Sequence, residues 1–413
     1  MIPSMRSAST VPGSAPRAVF AQLADGRPLT VADLTAHTGL PRSTVVDALR
    51  RLADAGQVEQ RGPGRQGRGR PSHSWSIAAP PGPVAVVVAA AHGTVVGVVT
   101  TKGEVLSARE AEPLEATVDG RRAGRALTEL DLALADASVQ ASELSMAVVG
   151  LPGPSGFTRQ SGTEADQPAS GHLRRFRTWD GGSPTELLAD RLGCPVHSEN
   201  DANLAALGEA VLGAGAGLDT VLHVSLAHGT GAGLVIDGRL HRGRSGLAGE
   251  IGHLHADDDG RLCHCGARGC FWHSRSIPAL LAALAEAHGR PFTLADVARA
   301  ADEDDHDVVR ALLGFGYALG RRLADAVVYI DPDAIVIEGS LSGASGVIAD
   351  GVRDAIRRYA PPTMARGTQV LVGTLGEMAP LVGAVALGRS EGLFARVADL
   401  RPSSGSSQLA ETR

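Results

Sequence analysis

At 413 residues the chain is too long for one ordinary hydrophobic core, and the usual domain size predicts two or three domains. Its 43% hydrophobic and 20% charged residues, with 3% aromatics and 52 glycines, describe a soluble globular protein of aliphatic strands and tight turns, which excludes global disorder. Four cysteines exclude a disulfide scaffold and predict a reducing, cytoplasmic setting; the most apolar stretch, Val84 to Val99, is broken by His92-Gly93 and Gly97 and suits two buried strands rather than a membrane helix.

The net charge of −6 is spread unevenly: residues 1–78 carry ten arginines against five acids, whereas the remainder carries 29 bases against 40 acids. A basic end joined to an acidic body points to nucleic-acid binding at one end and a different task at the other. After a tail over 1–14 that is expected to be disordered, apolar residues recur at helical spacing in three groups: Val19, Phe20, Leu23; Leu29, Val31, Leu34; and Val45, Val46, Leu49, Leu52. Asp25-Gly26 and Gly39-Leu40-Pro41 break the groups, so three short helices are expected, the last two forming a helix-turn-helix. The third, about Arg42 to Ala55, exposes Arg42, Ser43, Thr44, Asp47, Arg50 and Arg51. Its short N-terminal side chains suit a major groove and its arginines suit phosphates. Strands at Gln57–Gln60 and Ser74–Ile77 flank an Arg/Gly loop, Arg61 to Pro71, a candidate wing in which Arg68 and Arg70 would contact DNA. The winged helix-turn-helix domain is placed at 15–78.

Further along, one design occurs twice: an apolar run, the tetrapeptide AHGT, then a glycine five residues after the histidine. Ala91-His92-Gly93-Thr94 with Gly97 matches Ala227-His228-Gly229-Thr230 with Gly233, which predicts two hairpins from duplicated lobes. Near the second copy, Cys263, Cys265 and Cys270 lie within eight residues among glycines. Three thiolates with one imidazole make a closed tetrahedral zinc site, and His253, His255, His264 and His273 are candidate fourth ligands.

From Pro80 to about Leu393 the chain resembles the ROK family of sugar kinases and sugar-responsive repressors. The resemblance rests on GLPGP at Gly150–Pro154, ENDANLAALGE at Glu199–Glu209, GTGAG at Gly229–Gly233, GEIGH at Gly249–His253 and CHCGARGC at Cys263–Cys270. The N-terminal helices resemble the regulator branch of that family. The resemblance implies an α/β fold, with the winged helix followed by two lobes of the actin and hexokinase (ribonuclease H-like) type: lobe 1 over 79–198 plus 385–399, lobe 2 over 199–384 with the zinc site, and a disordered tail over 400–413. It selects His253 to join Cys263, Cys265 and Cys270 around a structural zinc. It also places Asp201 at the catalytic-base position, Asn200 at a sugar contact, and Glu250 and His253 at hydroxyl-binding positions.

Kinase chemistry is nevertheless not expected. Phosphoryl transfer needs a glycine-rich phosphate cradle and carboxylate-held magnesium. No Asp or Glu lies between Val84 and Gly103, where the family's kinases carry an Asp, and Ala227-His228 stands where they have Gly-Thr. Glu338 in DAIVIEGS replaces a glycine beside the nucleoside. Departures also touch the sugar site: Trp272 follows Cys270-Phe271 where the family has a glutamate, and HLRRFRTW lacks the expected asparagine before Trp179, while Arg174, Arg175 and Arg177 would favour an anionic ligand unless they belong to a solvated loop. The expected protein is therefore a non-enzymatic regulator that binds double-stranded operator DNA as a homodimer or homotetramer. Asn200, Asp201, Glu250 and His253 would sense a sugar or sugar phosphate, with no membrane partner. The alternatives are an active ATP-dependent sugar kinase and a ligand-independent architectural DNA-binding protein.

Overall fold

The computed structural model describes residues 14–23, 28–54, 58–61, 73–77, 82–89, 93–111, 122–153, 183–226, 230–263, 265–338 and 342–390. Two compact units separate, one within residues 1–81 and one spanning 82–387. Among the described residues no helix is long and apolar enough to cross a membrane.

In the first unit α1 (Ser14–Leu23), α2 (Val31–Thr38) and α3 (Arg42–Asp54) enclose Val19, Leu23, Leu34, Leu40, Val45, Leu49 and Leu52, all buried. Helix α2 starts where Thr30 accepts a hydrogen bond from the Asp33 N–H and the Asp33 carboxylate accepts one from the Thr30 N–H. It stops at Gly39, whose φ of 66° permits the left-handed turn into α3. The strands β2 (Val58–Arg61) and β3 (Ser74–Ile77) pair antiparallel, and β1 (Leu29–Thr30) joins β3 on its other side. Leu29 thus belongs to a strand, not to the second helix: Thr30 is committed to capping, so the helix can begin only at Val31. Val46, grouped by periodicity with the core, is 38% exposed. One step past Val45 turns a helical side chain by about 100°, away from the buried stripe.

The second unit holds two five-stranded sheets of the same topology. The first, ordered β6-β5-β4-β7-β8, is built from β4 (Val84–Ala89), β5 (Thr94–Val99), β6 (Val105–Ala111), β7 (Met146–Leu151) and β8 (Val196–Asn200). The second, ordered β11-β10-β9-β12-β13, is built from β9 (Thr220–Ser225), β10 (Gly231–Ile236), β11 (Arg239–Leu240), β12 (Ala334–Glu338) and β13 (Gln369–Val372). In both, three antiparallel strands are followed by two parallel ones. The α4 helix (Arg122–Asp136) and α5 (Pro184–Leu192) cover one face of the first sheet. One face of the second is covered by α7 (Phe271–Ser274), α8 (Ile277–His288), α9 (Leu294–Asp302), α10 (His306–Ile330), α11 (Ser345–Tyr359) and α12 (Pro362–Gly367).

Between the sheets run α6 (Asp201–Val211), whose residues 202–209 are all buried, and α13 (Ala379–Ser390). Their small residues are a packing requirement. A Cβ on Gly208 would lie 2.0 Å from the Ala379 carbonyl oxygen, and one on Gly383 would lie 1.8 Å from that of Leu204. Sheet glycines admit the same pair: a Cβ on Gly97 would meet Leu381 at 2.8 Å, and one on Gly233 would meet Ala206 at 2.4 Å. Such contacts are closer than any core tolerates without displacement.

Candidate functional sites on the helix-turn-helix and at the switch point

On α3, Arg42, Ser43, Asp47, Arg50 and Arg51 are exposed and Thr44 is half-buried. Arg42, Val46 and Arg50, four residues apart, line one face, while Arg51 pairs with Asp47 at 3.0 Å. Arg68 and Arg70 lie outside the described residues, as do Arg174, Arg175, Arg177, Trp179, His264 and the two terminal tails apart from Ser14, which opens α1.

In the second unit three chain segments converge at the C-terminal ends of parallel strands β7 and β8, where open α/β sheets place their ligands. Leu151, Pro152 and Gly153 leave β7; Asn200 and Asp201 leave β8 and open α6. Asn200 ties them together: its Oδ1 accepts from the Asn203 N–H at 3.0 Å, capping α6, and its Nδ2 donates to the Gly153 carbonyl at 3.0 Å. The Asp201 carboxylate accepts from the Ala202 N–H at 2.9 Å.

Glu199 brings in the third segment. It is 3% exposed, and its carboxylate accepts from the Asn200 N–H, the Asn203 side chain (2.9 Å) and the Arg242 guanidinium (Nε at 2.8 Å). Arg242 begins the loop that reaches Glu250. The local sequence registers Glu199 only as part of a motif, and nothing in it signals Arg242, 43 residues away.

Two glycines press the loop's far end onto β10. The Gly249 carbonyl accepts from the Ala232 N–H at 2.9 Å, and a Cβ on Gly249 (φ +91°) would fall 2.1 Å from the Ala232 carbonyl oxygen. One on Gly252 would fall 2.5 Å from that of Thr230. Thr94 and Thr230, the threonines of the repeated AHGT, each carry a buried hydroxyl that has no hydrogen-bond partner among the described residues.

Beyond Gly252 the chain gathers His253, Cys263, Cys265 and Cys270, with all four ligand atoms within 4.8 Å of one another. His253 Nδ1 is 3.6 Å from Cys263 Sγ, and its Nε2 faces the Glu250 carboxylate at 3.9 Å. Cys265 and Cys270 sulfurs are 3.6 Å apart, and the Trp272 indole N–H donates to Cys263 Sγ at 3.4 Å. These spacings fit the edges of a tetrahedron around a small ion. Burial raises the Cys263 thiol, but hydrogen bonds from the Cys265 backbone and from Trp272 outweigh it and leave the group below its ordinary value. Burial and the neighbouring sulfurs push Cys270 up to about 12. As thiolates the three sulfurs would repel one another unless a cation shared them, and the donor set fits a dication that takes sulfur and imidazole. Cys194, the fourth cysteine, stands outside the cluster, its thiol pushed up to about 11 by burial.

Duplicated sheets, a central helix pair and a Cys/His loop describe an α/β body of the sugar-kinase type behind a helix-turn-helix. The ROK family model matches residues 91–391, and the chain belongs to the ROK family. The IclR helix-turn-helix model matches residues 18–62. The xylose repressor of Bacillus subtilis is 31% identical over 196 residues, 48% of this chain and 51% of the repressor. A glucokinase of Streptomyces coelicolor is 33% identical over 248 residues, 54% of this chain and 78% of the enzyme. The crystal structure of a ROK-family transcriptional regulator, described as a homologue of the Escherichia coli Mlc protein, superposes with a TM-score of 0.69 over 93% of this chain and 98% of that one, at 22% identity. The chain spans about half the length of the xylose repressors it matches.

Proposed function

We propose that the protein is a cytoplasmic ROK-type transcriptional regulator, most simply a repressor. Its α3 enters the major groove of operator DNA, and its second unit senses a sugar or sugar phosphate without phosphorylating it. The observation that carries this reading is the helix-turn-helix ahead of the ROK unit, with Arg42, Ser43 and Arg50 exposed on its second helix. The likeness to repressors supports it. In this reading Arg42 and Arg50 contact phosphates or guanines, Val46 offers an apolar contact to a thymine methyl, and Arg68 and Arg70 of the wing reach the minor groove. A homodimer or homotetramer presents two such helices to adjacent half-sites.

Asn200, Asp201, Glu250 and His253 form the effector site in this proposal, with Asn200 and Asp201 fixed at the start of α6 and Glu250 held on the loop that Arg242 anchors. His253, Cys263, Cys265 and Cys270 would hold a zinc ion, which would supply a structural link and no catalytic step. With Nδ1 so engaged, the His253 ring would keep its Nε2 side towards Glu250 and so help hold the sensing carboxylate in place. A sugar that prefers one arrangement of the lobes over another shifts DNA affinity only by that preference.

The acid-free hairpin β4–β5 supports loss of magnesium-dependent transfer. A second reading, residual kinase activity, is favoured by Asp201 and by the Thr230 hydroxyl of GTGAG, which has no hydrogen-bond partner among the described residues. One experiment separates the two: DNA retention and ATP consumption measured with a panel of sugars. Regulation predicts sugar-dependent DNA affinity without turnover, loss of specific DNA binding on removing 1–78, and loss of the sugar response in Asp201→Asn. Turnover would establish the kinase, and DNA binding by the truncated chain would overturn the assignment of α3.

A further inference from the structure

The chain leaves the Cys/His cluster through the single turn of α7, which Cys270 caps. Phe271 pins that turn to the core: it is 1% exposed, its ring lies 6.3 Å from that of Phe315 on α10, and its N–H donates to the Leu254 carbonyl at 2.8 Å. One residue further round the helix, Trp272 points elsewhere. It is half-buried, and its indole N–H donates to Cys263 Sγ at 3.4 Å. Its Cβ lies over the Ile251–His253 turn, since a Cβ added to Gly252 would come within 3.5 Å of it. Trp272 therefore touches both the turn that carries His253 and the loop that carries Cys263, and it does so from a base fixed by its neighbour.

The sulfurs of the cluster stand in different surroundings. Cys263 is 3% exposed and accepts from two N–H groups, the Trp272 indole and the Cys265 backbone. Cys265 is exposed, with its sulfur 3.6 Å from that of Cys270. Three thiolates and one neutral imidazole around a dication leave one negative charge over, which is costly where the sulfur is shut off from water. N–H donors aimed at a ligating sulfur take up that charge and fix the sulfur's direction. A tryptophan that only covered the turn could satisfy its N–H with water or a carbonyl. Here the N–H goes to the buried ligand.

We infer that Trp272 is a positioning residue of the metal centre, whose indole N–H holds the Cys263 sulfur and offsets the surplus thiolate charge, and so sets how tightly the ion is retained. The inference rests on reading the Cys/His cluster as a metal site.

The test compares the full chain with two variants. Trp272→Phe keeps a ring and removes the donor; Trp272→Gln removes the ring but carries an amide nitrogen as many bonds from Cβ as the indole nitrogen. Zinc affinity is read by competition with a chromophoric chelator. Cobalt(II) in place of zinc reports on the sulfurs through its sulfur-to-metal charge-transfer absorption. Trp272→Phe should weaken zinc binding about tenfold or more, the usual effect of losing a hydrogen-bond partner of a metal ligand. It should also move the charge-transfer band to longer wavelength, because a sulfur relieved of an N–H donor gives up electron density more readily. Trp272→Gln should recover most of the lost affinity. Unweakened zinc binding in Trp272→Phe would overturn the inference, as would an unmoved charge-transfer band, or equal losses in the two variants, which would mean that only the bulk of the ring matters. An unaltered chain that takes up neither zinc nor cobalt would sink the metal reading itself, before any variant is compared.

Discussion

The two sheets of the second unit carry equivalent positions with different contents. In the first, Val86 of the central strand β4 sits between Gly97 and Val148; in the second, His223 of β9 sits between Gly233 and Val336. The glycines serve one purpose, letting α13 approach the first sheet and α6 the second. The residue beside each glycine differs: a fully buried valine in one sheet, a fully buried histidine in the other. The loops differ more. Only the second half carries the Cys/His cluster, among the described residues, and the α8–α11 layer. Duplication thus fixed the strand order and the helix seam, and the chemistry entered through what was added around the second copy.

Metal removal tests that asymmetry with the largest expected effect. A chelator should lower the unfolding free energy by several kcal/mol, since binding energy at a structural zinc site is folding energy. Amide exchange should accelerate in the 251–274 segment first and leave β4 and β5 protected. Equal loss of protection in both sheets would mean that the cluster supports the whole unit rather than its own half.

The shared seam is sharpened by Gly383→Ala. Its added methyl would fall on the Leu204 carbonyl, so denaturant unfolding should show a loss of about 3 kcal/mol or more, the upper range for overpacking. Gly346→Ala, where a Cβ meets nothing within 4 Å, is the control and should change little.

The clasp between β8 and the loop after β11 comes next. Glu199→Gln keeps the shape and removes the charge opposite Arg242, whose side chain is 20% exposed. Partial solvation reduces the cost below that of a fully buried pair, to about 2 kcal/mol in urea unfolding. Adding Arg242→Leu should recover part of it. A strictly additive double variant would show that the two side chains do not stabilise each other.

His223 gives the most local effect and, near neutral pH, the smallest. Burial lowers its pKa from 6.5 to about 3. Below pH 6.5 the unfolded chain takes a proton that the folded one refuses, so stability is complete above that pH and falls as the pH drops from 6.5 towards 3. His223→Leu should flatten the acid side of the stability curve by up to about 1.4 kcal/mol per pH unit. An unchanged slope would show that other groups govern the acid response.

Much of the site was legible because its signals are local. The Gly39-Leu40-Pro41 turn, the capped helix before it, the two hairpins and the cysteine spacing each depend on residues close in the chain, where turn chemistry and periodicity act. Leu29 and Val46 mark the limit even there. The side chain at position 30 decided where the second helix starts, and a single step of helical rotation decided which valine faces out.

What the sequence by itself determined is the order of elements, the repeated hairpin design and the set of residues able to share a metal, since all three follow from spacing along the chain. The tertiary structure alone decided that Glu199 meets Arg242 and that Gly208 and Gly383 lie against backbone carbonyls. The physical reason is that such contacts are selected by close packing and charge pairing after distant segments have been brought together, and no local preference of the chain encodes the partner.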